Sequence, residues 1–203
     1  MNSETTNELL DQVRGGDRQA LDRLLTEHRA YLRGVVALRL DARLKSRVDA
    51  SDVVQEAQLE AVRRVDDYLA QPALPFRLWL RQIACDRLIM AQRQHVGAER
   101  RAVSRESPLP DESSAGLGAL ALAGGPTPSQ IMSRDELAAR VRQALARLDD
   151  DDRDVLLMRN FEGLSNQEVA QVLDIEPAAA SKRYGRALLR LRTALLSQGV
   201  SEQ

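Results

Sequence analysis

Four cations recur on one side of a stretch near the C-terminus: Lys182, Arg183, Arg186 and Arg190. No acidic residue lies between Pro177 and Ser197. Guanidinium and ammonium groups held in a row by a helix can neutralise successive phosphates; charge alone reads more readily as a solvated basic face, and it is the cap, the turn and Pro177 before it that favour nucleic-acid binding. Ser181 adds a hydroxyl that can reach a phosphate or a base edge. Ala178 and Ala179 leave the start of the helix bare enough for its backbone to approach a ligand closely. A catalytic reading is poor, because the chain shows no pairing of nucleophile and base, no phosphate loop and no metal cluster. The single cysteine, Cys85, excludes an internal disulfide, and His28 and His95 lie too far apart in sequence to make a metal-ligand pattern with it. No metal or cofactor is implied.

The element that must present those cations is a helix, and the residues before it specify a helix-turn-helix. Val155, Leu156, Leu157, Met158 and Phe161 give one apolar surface, and Gly163 falls where a helix takes a left-handed C-cap. Ser165-Asn166-Gln167-Glu168 matches the capping box and predicts a short helix with Val169, Ala170, Val172 and Leu173 inside. Asp174-Ile175-Glu176 reads as a tight turn, with Pro177 at the first position of the next helix. That helix carries Ala180, Tyr184, Ala187, Leu188, Leu191 and Leu195 at helical spacing, opposite the cations. Upstream, Leu137, Val141, Leu145 and Leu148 predict another helix, which leads into Asp149–Asp152. Consecutive aspartates on a helix do not converge on one point, so this cluster reads as a helix N-terminus with Asp149 or Asp150 as its cap.

The composition sets bounds on the rest. Aromatic residues make up 3% of the 203, and helix formers dominate, which predicts an all-α protein. A formal net charge of −1 is unusual for a protein that holds DNA by itself, and it suggests that a partner assists. The first residues lack the order of a signal peptide and no apolar run is long enough to span a bilayer, so a soluble, cytoplasmic chain without membrane insertion is expected.

Toward the N-terminus, Leu9, Leu10 and Val13 mark a short helix ended by Gly15-Gly16. Asp17 caps the next, which carries Leu21, Leu24, Leu25, Leu32, Val35 and Val36, with His28 packed on the same face. A third helix opens at Asp49–Asp52 and buries Val54, Ala57, Ala61, Val65, Tyr68 and Leu69, leaving Asp52, Gln55, Glu56, Arg63 and Arg64 on its other face. A fourth follows Pro75, with Phe76, Trp79, Leu80, Ile83, Ala84 and Leu88 inward and Arg77, Arg81, Arg87 and Arg93 outward beside Asp86. From Gly97 the composition turns to Ser, Gly, Pro and Ala with no persistent period. The expected organisation is two small helical domains, 1–96 and 132–203, joined by a flexible linker over 97–131.

Four segments, in this order, resemble the sigma factors of bacterial RNA polymerase of the extracytoplasmic-function type: VRGGDRQALDRLL (13–25), DASDVVQEAQLEAV (49–62), FRLWLRQIACDRLI (76–89), and residues 137–192 with FEGLSNQEVAQVL and SKRYGRALLRLR. The resemblance implies a non-enzymatic transcription initiation factor that binds core polymerase at its clamp and flap and directs it to promoter DNA. On the matching positions, Asp52, Gln55 and Glu56 would meet the clamp helices. Arg77, Trp79, Arg81, Asp86, Arg87 and Arg93 would serve the minus-ten element as its strands part. Ala178, Ala179, Ser181, Lys182, Arg183, Arg186 and Arg190 would serve the minus-thirty-five element in the major groove. Some family members are held off by an anti-sigma factor, which adds such a protein to the partners the resemblance implies. Three positions depart from the family pattern, one of them Met90, near which the family often has an acid. Asp86 stands where an Asn is frequent, and a carboxylate accepts hydrogen bonds but cannot donate as an amide does. Asp174 stands where a turn Gly is common, and Asp tolerates the left-handed conformation.

Overall fold

Several helix starts in this chain are set by carboxylates and prolines. A computed structural model describes residues 3–40, 44, 47–96, 111–122 and 134–198. The chain forms two units, Met1–Ala102 and Val103–Gln203. In the first, α1 (Ser3–Arg14) stops at Gly15-Gly16, where Gly16 takes a φ of +90° that a side chain would strain. Asp17 then caps α2 (Arg18–Arg39), its Oδ1 accepting from the backbone N–H of Gln19 at 2.8 Å and of Ala20 at 3.3 Å. Asp49 does the same for α3 (Ala50–Ala70) through the Ser51 N–H at 2.7 Å. α4 (Phe76–Val96) opens on the Pro75 carbonyl, which accepts from the N–H of Leu78 and of Trp79.

The core of this unit joins Leu24, Leu32 and Val36 of α2, Val54, Ala57 and Ala61 of α3, and Leu80 and Ala84 of α4. α3 and α4 pair directly, and the small Ala57, Ala61 and Ala84 suit a close approach. At one end, Phe76 and Trp79 of α4 pack with Tyr68 of α3 and His28 of α2. His28 is buried, as its place on the apolar face predicts. A carbonyl can only accept, so its Nδ1 carries the proton it shares with Leu24 O at 2.8 Å. Burial pushes its pKa below the ordinary histidine value, which keeps the ring neutral.

The second unit contains α5 (Asp111–Leu122), α6 (Arg134–Arg147), α7 (Asp150–Asn160), α8 (Asn166–Leu173) and α9 (Pro177–Ser197). α5 corrects the expectation that 97–131 lacks secondary structure; the rest of that stretch lies outside the described residues. The segment DESSAGLGALAL has no clear apolar period and two glycines, so nothing local announces a helix. Its packing on α6 and α9 supplies the reason. Leu117, Ala121 and Leu122 are buried, while Leu120 remains exposed. Gly118 permits the contact, since a Cβ there would lie 2.7 Å from Val141 Cγ2 and 3.0 Å from Leu137 Cδ1.

Gly118→Ala is therefore expected to loosen α5 from α6. Gly116 is exposed with open space around it, so Gly116→Ala should stabilise the helix by about 1 kcal/mol. Hydrogen exchange of the α5 amides reads both, and equal protection in the two variants would contradict this packing. Among the described residues no helix is long and apolar enough to cross a membrane.

Candidate nucleic-acid interface

The α7–α8–α9 segment is locked by local hydrogen bonds. Asp149 caps α7, its Oδ1 accepting from the Asp152 N–H at 2.8 Å. Past the end of α7, Gly163 takes φ +68° and the Leu164 N–H returns to Met158 O at 2.9 Å, which closes the helix end. The capping box is complete: Ser165 Oγ accepts from the Glu168 N–H at 3.2 Å, and the Ser165 N–H donates to Glu168 Oε2 at 2.8 Å. Asp174 ends α8 in the left-handed region, with φ 50° and ψ 50°. Pro177 occupies the first turn of α9, and Asn166 Nδ2 donates to its carbonyl at 2.8 Å, tying the start of α8 to the start of α9.

α9 is held to this frame by Ala180, Ala187, Leu191 and Leu195, all fully buried. Tyr184 Oη donates to Asn160 Oδ1 at 3.2 Å, and the Arg159 guanidinium lies over the Tyr184 ring at 5.4 Å. The same Arg159 donates from Nη1 to Leu164 O at 2.7 Å, so a single side chain braces the loop and the helix. With the inner face fixed, Ala178, Ala179, Ser181, Lys182 and Arg186 are exposed and Arg183 is half-buried. Leu189, 64% exposed, lies between the cations Arg186 and Arg190, a position the sequence reading left unassigned. Arg190 is the exception among the candidate contacts. Its Nη1 pairs with Asp149 Oδ2 at 2.9 Å and with Asp152 Oδ2, and these carboxylates, Asp152 first, raise its pKa above the ordinary value.

In the first unit the candidate residues separate into two kinds. Asp52, Gln55 and Glu56 all lie exposed on α3. Beside them stand two exposed apolar side chains, Leu59 at 54% and Val62 at 46%, which the sequence reading passed over. Both fall out of register with the buried stripe Val54, Ala57, Ala61, Val65, and that mismatch was the available signal.

On α4, Asp86 and Arg93 are exposed, and Arg77 is half-buried with its guanidinium 5.1 Å from the centre of the Tyr31 ring. Arg87 pairs with Glu60 of α3 at 2.8 Å. Arg81 is not on the outer face: only 3% of it is exposed, and it is engaged within the protein. The reason is register, since Leu78, Ala84 and Leu88, at spacings of three, three and seven, are all buried. Trp79 packs inward, its ring stacked on Tyr68 at 4.5 Å and tilted against Phe76 at 5.5 Å.

Known proteins match this arrangement unit by unit. Residues 24–96 match the family described as Sigma-70 region 2, and residues 138–191 match Sigma-70, region 4. The first of these includes 49–62 and 76–89 entirely but only the last two residues of 13–25. RNA polymerase sigma factor CnrH of Cupriavidus metallidurans is 32% identical over 210 residues, covering 96% of this chain and 97% of that one. RNA polymerase sigma-H factor of Pseudomonas aeruginosa is 29% identical over 196 residues, covering 96% of each. Among solved structures, CnrH in complex with the cytosolic domain of CnrY is similar with a TM-score of 0.58 at 25% identity, covering 96% of this chain and 98% of that chain. With both regions present in order and relatives matched along nearly their whole length, the chain belongs to the sigma factors of bacterial RNA polymerase, of the extracytoplasmic-function type, which direct transcription initiation to specific promoters.

Proposed function

We propose a division of labour between three faces. The α3 face of Asp52, Gln55 and Glu56, extended by Leu59 and Val62, docks on the clamp helices of the polymerase's largest catalytic subunit. The outer part of α4, with the exposed Asp86 and Arg93 and the half-buried Arg77, follows the minus-ten element as its strands part. Trp79 and Arg81 support that surface from inside, and Arg87 supports it through Glu60. The outer face of α9, with Ala178, Ala179, Ser181, Lys182, Arg183 and Arg186, enters the major groove at the minus-thirty-five element, and the second unit also meets the flap. A cytoplasmic chain is the setting this requires. The observation that carries the reading is the capped, turn-locked α8–α9 pair, which fixes a face with three cations and no acid outward.

CnrH was solved bound to the cytosolic domain of CnrY, and by that likeness a protein regulator that occupies the sigma factor is part of the proposal. The α3 face is tested by Glu56→Arg and Leu59→Asp, both at exposed positions and so without effect on folding. Each is expected to weaken binding to core polymerase about tenfold, the loss typical of one good interface contact. Duplex binding by the second unit should not change. Core affinity that survives both substitutions would remove this face from the interface.

A further inference from the structure

Arg190 pairs with Asp149 and Asp152 across about forty residues of chain, joining the later half of α9 to the first turn of α7. Asp152 is 5% exposed, and Asp149 already caps α7 with its other oxygen. The pair opens onto a cleft with the four aspartates 149–152 on one wall and Arg183, Arg186 and Arg190 on the other. Asp149 and Asp152 therefore sit directly against Arg190, in the same cleft as Arg183 and Arg186, the cations that the proposed reading helix offers to DNA. At about 0.1 M salt charges interact over roughly 10 Å, so a phosphate brought to Arg183 or Arg186 also meets this acidic wall.

We propose that Asp149 and Asp152 are an internal competitor for phosphate: they hold Arg190 as a positioning residue instead of a DNA contact, and they keep the second unit's own affinity for duplex DNA low. The chain then engages a promoter only when polymerase supplies the remaining binding energy. This rests on the assignment of α9 to DNA made above. It also gives a local cause for the net charge of −1, because acid is placed directly opposite the reading cations.

Asp149→Asn with Asp152→Asn tests the idea cleanly. Asn caps a helix as well as Asp does, so charge is removed while shape and cap remain. The full chain is titrated against a short duplex of arbitrary sequence, across a range of salt concentrations. Releasing Arg190 to one more phosphate should steepen the slope of log K against log salt by about 0.9, and tighten binding roughly tenfold at ~0.1 M salt. Arg190→Gln in the native background should leave the slope unchanged, whereas in the Asn background it should cancel the steepening.

An unaltered slope in the Asn variant, or a slope reduced by Arg190→Gln alone, overturns the proposal. Arg186→Glu in the same assay separates the two levels of inference. If it does not weaken duplex binding, the assignment of α9 fails. If it does, and the Asn variant shows no gain, only the competitor fails.

Discussion

Arg186→Glu is expected to reduce transcription from a promoter that depends on its minus-thirty-five element by about a hundredfold while leaving core binding unchanged. Loss of one arginine contact to DNA costs about 1–3 kcal/mol, and reversing the charge adds repulsion from the same phosphates. Folding should not suffer, because Arg186 is exposed and α9 is anchored from the other side by Ala180, Ala187, Leu191 and Leu195. The Tyr184–Asn160 bond and the Asn166–Pro177 bond that orient the helix are untouched. Reconstituted transcription and a direct core-binding titration, run on the same preparation, give the two readings. A drop in core affinity equal to the drop in transcription would contradict the assignment of α9 to DNA.

The second large effect is on stability. Trp79→Ala is expected to cost the first unit about 3 kcal/mol, toward the lower end for truncating a large aromatic, because the ring is half-buried. What disappears is the stack on Tyr68 and the contact with Phe76, which together close one end of the α2–α3–α4 core. Trp79→Phe keeps much of this and should cost about 1 kcal/mol. Urea unfolding followed by far-ultraviolet circular dichroism measures both. In the native chain Trp79 is the sole tryptophan, so its fluorescence reports the same transition. A Trp79→Ala protein of native stability that fails only in promoter opening would mean that the ring serves DNA and not the core.

These cases show which parts of the molecule were legible in the sequence. The helix-turn-helix was readable almost residue by residue, because a cap, a left-handed C-cap and a proline at a first turn are encoded within four or five residues. Ser165 with Glu168, Gly163, Asp174 and Pro177 all take the local geometry that their types predict. His28 was placed correctly by the apolar face it shares with Leu24, Leu25 and Leu32.

What escaped depended on contacts between distant segments. α5 has no period of its own, and its glycines become intelligible only once Val141 and Leu137 are seen against Gly118. Arg81 was read as outward because it is charged, although the buried Leu78, Ala84 and Leu88 fix the opposite direction. The capture of Arg190 required knowing that Asp149 and Asp152 lie beside it, which no spacing within α9 could show. Leu59 and Val62 were visible as apolar residues out of register, and their exposure on α3 gives that irregularity a meaning.

The central claim is that this chain gives core polymerase its choice of promoter through two separate DNA contacts. Mixing it with sigma-free core polymerase and genomic DNA fragments, then sequencing the 5′ ends of the transcripts, tests this most directly. The account predicts starts that appear only when both proteins are present and that share two upstream elements at a fixed spacing. With Arg186→Glu the upstream element should lose its influence while the element nearer the start keeps its own. Starts that share no such pair of elements, or that are the same with and without this chain, would contradict it.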